Sequence, residues 1–518
     1  MSQHLLKSTA VIGGLTLVSR ILGFLRDMVI ARCFGADWAT DAFFVAFKVP
    51  NLLRRLFAEG AFSQAFVPLL AEYRERYGSA TTRAFLGRTA GALALTLGSL
   101  TGIGMLAAPL LILLFAPGFY AHPERYGLSV ELLRIVFPYL FFIGLTAFAG
   151  SILNTWRHFA VPALTPALLN LSMIAAALWL APQLAQPVTA LAFGVLLAGL
   201  VQLALQIPAL RRIGCLTRPR LGFSDPGVQR ILKLMAPAIF GVSVAQLNLL
   251  LNTLLASFLV SGSVSWLYYA DRLVEFPLGI FGAAIGTVIL PHLSKHHASR
   301  DPEAFSRALD WALRWLALIG VPATLGLILL ARPVVFTLFQ YRQFSAHDAE
   351  MAAGSLTAYA VGLLGFLAVK VLVPGFSARQ DLGTPARYGV YAVAANLGLS
   401  LLLVWQTAPR GWGHAGLALA TALAATVNAA LLLGKLLRDR VYRPAPGWPG
   451  FLSRLLLANG AMAAVLVQGT GIELWATWSL AERAVNLGLW LSAGLACYLL
   501  CLSVTGLRPR HLLLSETP

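Results

Sequence analysis

Residues 10–34 read AVIGGLTLVSRILGFLRDMVIARCF, and residues 39–62 read ATDAFFVAFKVPNLLRRLFAEGAF. Each run is as long as the roughly 20 residues a helix needs to cross a bilayer. Each also carries charge in its interior: Arg20, Arg26 and Asp27 in the first, and Asp41, Lys48, Arg54, Arg55 and Glu59 in the second. The first run is too long and too charged for the apolar part of a cleaved signal, so it is read as a retained span. A charge at the bilayer centre costs at least about 2.5–3.5 kcal/mol, so these residues line water or pair with one another.

The rest of the chain repeats the apolar pattern with far less charge. Of its 518 residues, 58% are hydrophobic and 12% charged, and the mean hydropathy is +0.75. Soluble chains carry about twice that share of charge. Lipid offers backbone groups no partners, so spans of this length are helices; barrel strands would alternate over about ten residues. Helices are expected near 10–34, 39–62, 84–114, 130–154, 160–181, 188–208, 230–260, 264–290, 311–331, 354–376, 386–406, 414–436, 452–470 and 484–505. The class is an all-α polytopic membrane protein with about fourteen spans.

The net charge of +18 invites a nucleic-acid reading. Its distribution argues otherwise. With the N-terminus placed in the cytoplasm, twenty-five of the 39 Lys and Arg fall on the cytoplasmic side, and only Arg125, Arg332, Arg342, Arg410 and Arg483 outside. That is the positive-inside bias, with both termini cytoplasmic. Anionic membrane lipids, not nucleic acid, are the expected neighbours of this charge. Trp38, Trp266, Trp412, Trp475 and Trp478 fall near outer ends and read as interfacial anchors. Cys33, Cys215, Cys497 and Cys501 form no CxxC pair and read as packing residues. His292, His296 and His297 lack companions for a zinc set and read as a solvated loop. No metal site and no cofactor are expected.

Two stretches match at an offset of roughly 223–226 residues. Lys7-Ser-Thr-Ala pairs with Lys233-Leu-Met-Ala, Phe66-Val-Pro-Leu-Leu with Ile289-Leu-Pro-His-Leu, and Pro162…Asn170 with Pro385…Asn396. Each copy holds six spans, so the copies are parallel, a transporter layout with a cavity between the halves. The expected organisation is an N-lobe over 1–210 (spans 1–6), a C-lobe over 211–440 (spans 7–12) and two additional C-terminal spans over 441–518.

On the first span Arg20, Gly23 and Asp27 share a face, and on the second Asp41, Lys48, Asn51, Arg54, Arg55 and Glu59 fall within an arc of about 140°. The eighth span adds Asp271, Arg272 and Glu275, the last two at ion-pair spacing. Ion pairs between the halves are a competing reading for Asp27, Asp271 and Glu275. Bases outnumber acids on these three spans, however, and arginines in a wet cavity make an anion site whose planar fork fits phosphate oxygens. Arg32 and Arg134 sit at span ends and read as snorkelling. Lys370 reads either as snorkelling or as a cavity residue.

The stretch Ser19-Arg-Ile-Leu-Gly-Phe-Leu-Arg-Asp, the stretch from Thr40-Asp-Ala-Phe-Phe-Val-Ala to Ala65-Phe-Val-Pro, and Gly262-Ser-Val-Ser-Trp-Leu-Tyr-Tyr-Ala-Asp-Arg-Leu-Val-Glu-Phe-Pro closely resemble the MurJ (MviN) family. The resemblance in order and hydropathy covers nearly the whole chain. It implies a member of the MOP exporter superfamily in the bacterial inner membrane. Such a protein flips lipid II, the undecaprenyl-pyrophosphate-linked peptidoglycan precursor, and the two extra helices hold the lipid tail. It also implies substrate-binding roles for Arg20, Arg26, Arg54, Arg272, Asn51 and Ser265, with Asp27, Asp41 and Glu59 at the portal and gate. Asp271 and Glu275 join the gate set. A monomer is expected, with the cell-wall synthesis machinery as a further partner. Some members bind sodium through acidic residues on spans 7 and 11. Here those spans offer Asn248, Asn252 and Asn396, with Asp381 only in the preceding loop, so such a site is not expected.

Three other readings compete. An exporter of the same fold for a drug or an O-antigen-type lipid-linked oligosaccharide is nearest, although a drug-cation exporter should have an acidic cavity. A membrane enzyme lacks paired catalytic carboxylates, HExxH or GxSxG in the spans. A non-transporting scaffold leaves the buried charge on both halves unexplained.

Overall fold

A computed structural model describes residues 3–55 and 62–506; within these, only the backbone is described for 3–12, 236–245, 283–284, 287 and 472–474. Every regular element among the described residues is helical. The helices are α1 Gln3–Phe34, α2 Trp38–Arg54, α3 Ser63–Arg76, α4 Gly78–Leu106, α5 Ala108–Phe115, α6 Pro123–Val136, α7 Tyr139–Thr155, α8 Ala160–Ala175, α9 Thr189–Arg212 and α10 Pro226–Ala256. They continue with α11 Ser263–Pro277, α12 Ala283–Ala298, α13 Pro302–Leu329, α14 Ala331–Phe339, α15 Ala346–Ala360, α16 Leu363–Ser377, α17 Gly383–Thr407, α18 Gly413–Arg438, α19 Trp448–Gln468, α20 Ile472–Thr477 and α21 Leu480–Val504.

Nine helical stretches among the described residues are long and apolar enough to cross a membrane, ten if α15 and α16, bent by 41°, form one span. These coincide with the ten expected spans that carry little charge. Over the other four, 10–34, 39–62, 230–260 and 264–290, the chain is also helical where it is described, except at the end of the third, where α10 stops at Ala256. Three of these hold the intramembrane charges, which lower their apolarity, and part of the fourth has no described side chains.

Several spans expected as single rods are broken. The run over 84–114 stops at Ala107, before Pro109, and the run over 130–154 turns at Phe137-Pro138. Proline cannot donate to the preceding turn and clashes with it. The α15–α16 bend sits at Val361-Gly362, where a Cβ on Gly362 would collide with the backbone of Ala422 on α18. Glycine there lets the two helices touch. The histidine cluster is a correction: His292, His296 and His297 lie on α12, not in a loop, because that helix runs on to Ala298.

By packing, the chain divides into two compact units, Met1–Val264 and Ser265–Pro518. In the first, α1 packs on α8, α2 on α6 and α7, and α9 on α7 and α8, while α10 packs on α3, α4 and α5. Its core joins Phe66, Leu70, Phe85, Phe148, Ile152 and Ile231. In the second, α18 is central, touching α15, α16 and α17, and α13 carries the last pair, α19 and α21, through Phe451, Leu455, Met462, Leu466 and Tyr498. A further tie holds that pair. Asp310 on α13 accepts hydrogen bonds from Tyr442 Oη (2.8 Å), Trp448 Nε1 (2.7 Å), the Ala445 N–H (3.1 Å) and Arg314 Nε (2.7 Å). One carboxylate thus fixes the linker that leads into α19. In that linker, burial and the Asp310 carboxylate push the Tyr442 hydroxyl up.

Candidate functional site

The charges of α1 are not equivalent. Arg20 is exposed, in a groove of about 470 Å³ with Thr16, Asn154, Phe159 and Pro166. Arg26 and Asp27 are buried, at 3% and 1% exposure. Arg26 donates to Asp27 Oδ1 from Nε (3.0 Å) and Nη2 (2.6 Å), and from Nη1 to Asn170 Oδ1 (3.1 Å). Asn170, on α8, returns its Nδ2 to the carbonyl of Ser19 (3.0 Å). One asparagine therefore clamps α1 onto α8 and orients the guanidinium. The ion pair is thus neutralised inside the first unit, with the guanidinium committed to Asp27 and Asn170.

On α2 the charged face divides by position. Asp41 and Arg54 are thirteen residues apart, about 20 Å along a helix, so they do not form one cluster. Asp41, fully buried, accepts from Arg125 Nη2 (2.6 Å) and from the Gly262 N–H (2.8 Å). Arg125 lies on α6 with its guanidinium carbon 3.8 Å from the centre of the Phe119 ring. At the other end Arg54, half-buried, donates to Asn51 Oδ1 from Nε (3.0 Å) and Nη2 (2.7 Å). Between them Lys48 donates to Thr253 Oγ1 (3.2 Å). Glu59 lies outside the described residues.

In the second unit Arg272 Nη1 meets Glu275 Oε2 at 2.9 Å, with side chains 35% and 45% exposed. The Arg272 guanidinium sits 5.7 Å from the Tyr268 ring centre. Asp271 is exposed and Ser265 fully buried. The expected i,i+3 pair thus forms, on a helix face that remains open. A guanidinium pre-set by its neighbours and still accessible can donate to phosphate oxygens without a large reorganisation.

Several expectations change on contact with the structure. Trp266 and Trp475 are buried inside the protein and do not anchor to an interface. The indole of Trp266 donates to Asp348 Oδ1 (3.0 Å), and that of Trp475 to the Gly469 carbonyl (2.7 Å). Of the five outer basic residues, Arg125 and Arg483 are internal, and Arg332 pairs with Glu350. Arg483 donates to the carbonyls of Phe336, Gln340 and Ala476, closing the end of α14. Asp381 caps α17 by accepting from the Thr384 N–H (3.0 Å), and bonds from Thr384 hold its carboxyl below the usual range. No group of His, Cys, Asp and Glu among the described residues could hold a metal ion.

Sequence reasoning missed Arg125, Asn170, Asp310 and Arg483. Only Asn170 had a readable signal, its place in the repeat opposite Asn396. Both asparagines are buried on an apolar helix, at 6% and 1% exposure.

Residues 30–486 match a family model described as lipid II flippase MurJ. A protein of Vibrio cholerae serotype O1 named probable lipid II flippase MurJ is 44% identical over 99% of this chain and 98% of its own length. Lipid II flippase MurJ of Burkholderia cenocepacia is 42% identical over 89% of this chain and 90% of its own. A solved structure of lipid II flippase MurJ in an inward closed conformation superposes with a TM-score of 0.79 at 26% identity, covering 96% of this chain and 98% of that one. An inward-facing multidrug resistance MATE family transporter of the MOP superfamily superposes at 0.64 with 15% identity, covering 83% of this chain, and shares the fold.

Proposed function

The chain belongs to the MurJ family of lipid II flippases, and we propose that it carries lipid II from the inner to the outer leaflet of the bacterial cytoplasmic membrane by alternating access. It is a multi-pass transporter, not an enzyme. The observation that carries the reading is the state of two arginines: Arg54 beside Asn51 and Arg272 beside Glu275 are pre-oriented yet half-exposed on charged helices. A pyrophosphate presents at least two negative charges, and charge-assisted bonds are about twice as strong as neutral ones. Arg54 and Arg272 therefore take the head group first, with Asn51, Ser265 and Arg20 in support. Arg26 joins when it leaves Asp27 and Asn170. Asp27, Asp41, Glu59, Asp271 and Glu275 serve the portal and gate.

The same reading divides the chain into an N-lobe over 1–210, a C-lobe over 211–440 and a tail-holding pair over 441–518. It places both termini in the cytoplasm, with a monomer as the working unit, anionic lipids against the basic face and the cell-wall synthesis machinery as a partner. A carrier of drugs is disfavoured because the likeness to drug exporters extends to the fold alone.

The test is reconstitution in vesicles with fluorescent lipid II and a membrane-impermeant quencher. Transfer of the lipid by wild type, and none by the Arg54→Lys, Arg272→Lys double variant, supports the reading; equal transfer by both sinks it. Single cysteines at Ser79 and Ala476, both exposed, report orientation: labelling of Ser79 from outside intact cells reverses the topology.

A further inference from the structure

Three linkers of the second unit meet at one pocket of about 330 Å³: the turn between α12 and α13, the turn between α16 and α17, and the start of the segment between α18 and α19. Each supplies an arginine to the wall, Arg300, Arg379 and Arg440, and α12 adds His296 and His297. The volume is at the lower end of ligand pockets. At this pocket α13 begins one stretch long and apolar enough to cross a membrane, and α18 ends another. The carboxylates beside the arginines are already engaged. Asp301 lines the pocket and caps α13 by accepting from the Ala304 N–H (2.9 Å). Asp439, also in the wall, meets Lys435 Nζ at 2.8 Å. Asp381, near Arg379, caps α17. Arg300, Arg379 and Arg440 form no ion pair among the described residues.

The backbone gives two of these arginines a second distinction. Arg300 and Arg440 both have a φ of 55°, in the left-handed region. Each closes its helix: the Arg300 N–H bonds the His297 carbonyl (3.1 Å), and the Arg440 N–H bonds that of Leu437 (3.0 Å). Glycine is the usual residue at such a position, because a Cβ is strained at positive φ. The first half uses glycine at the matching helix ends, Gly78 after α3 and Gly214 after α9, with φ of 74° and 68°. The match follows the repeat, since α3 and α12 carry the Phe66 and Ile289 stretches and α9 and α18 close the two halves. The turn therefore works with glycine. The second half instead holds arginine, against the preference of the backbone, at two places that share one pocket. Three guanidinium forks without a carboxylate partner suit a tetrahedral oxyanion, because the fork matches phosphate oxygens in bidentate fashion.

We propose that this pocket binds a phosphate group, of a lipid head group or of a soluble phosphate, held between Arg300, Arg379 and Arg440. It shares no residue with the set assigned to lipid II and stands without that assignment. The bound phosphate cross-links three turns, one of which leads into α19.

The test is arginine modification of the full chain by phenylglyoxal, read residue by residue with mass spectrometry. Arg438, exposed on the last turn of α18 and outside the pocket, is the internal control. In detergent, inorganic phosphate at constant ionic strength should slow modification of Arg300, Arg379 and Arg440 several-fold and leave Arg438 unchanged, which assigns a soluble phosphate. The same pattern seen only in vesicles containing phosphatidylglycerol, and not in phosphatidylcholine alone, assigns a head group. Arg300→Gly with Arg440→Gly removes two forks and relieves both turns. Loss of charge-assisted bonds to phosphate should weaken the protection of Arg379 at least about tenfold. The melting temperature of that variant without ligand should not fall. Three results overturn the proposal: no protection by either source, equal slowing at Arg438, or a lower melting temperature in the double variant. The last would make these arginines ordinary helix-end stabilisers.

Discussion

The Arg125–Asp41 and Arg272–Glu275 pairs each join an arginine to a carboxylate on membrane helices, at 2.6 Å and 2.9 Å. The side chains of the first pair are 6% and 0% exposed, and a backbone N–H and a phenyl ring complete the enclosure. Those of the second are 35% and 45% exposed. A buried pair has no water to take over either charge, so it resists exchange. An open pair is worth little as a bond and can trade its partner for a ligand. Exposure, not pairing, separates a strut from a binding group, and Arg26 with Asp27 falls on the strut side in this state.

Asp41→Asn attacks the comparison hardest. It takes the paired carboxylate from the buried Arg125 guanidinium, a loss of about 3–5 kcal/mol. Thermal melting of purified protein should show a large fall, or the variant should fail to accumulate; an unchanged transition would mean that the pair is solvated. Asp310→Ala comes next. It strips the acceptor from Tyr442, Trp448, Arg314 and the Ala445 N–H. Unpaired buried donors cost about 1–3 kcal/mol each, part of which the linker recovers by turning to water, so a net loss of about 2–3 kcal/mol is expected. Limited proteolysis across residues 439–447 should accelerate, and resistance equal to wild type would remove Asp310 as the tie.

Arg26→Lys should cost less, about 1–2 kcal/mol, since an ammonium keeps Asp27 and loses the simultaneous bond to Asn170. Both melting temperature and lipid II transfer should drop. A drop in transfer alone would move Arg26 from the struts to the binding groups. Arg134→Lys should be nearly silent, within about 0.5 kcal/mol, because Arg134 is exposed and makes one long bond to the Met105 carbonyl. A clear loss of transfer there would show that exposure is not the deciding variable.

Helices were legible because apolar length reports them directly, whereas the breaks before Pro109 and at Phe137-Pro138 were missed, because apolar length alone runs through them. The charged spans stood out, since charge inside a membrane helix is costly and Arg20, Arg54 and Arg272 break otherwise apolar runs. What pairs with what was not legible. Asp41 finds Arg125 eighty-four residues away, and Asp310 finds a linker more than a hundred residues on, contacts that no helical period encodes. The outer basic residues misled for the same reason: Arg125 and Arg483 count as surface charge in a sequence and are buried in the fold. Trp266 and Trp475 likewise sit near helix ends, and their position cannot say whether an indole faces lipid or a neighbouring helix.

The central claim is that Arg272 binds the pyrophosphate through its planar fork. Arg272→Lys keeps the positive charge and its neighbour Glu275 but removes bidentate geometry. Lipid II transfer and melting temperature are measured on the same purified sample. The account predicts transfer reduced at least about tenfold, the loss of one charge-assisted bond, with melting unchanged. Wild-type transfer by Arg272→Lys would contradict it and leave Arg272 as diffuse charge or a surface ion pair.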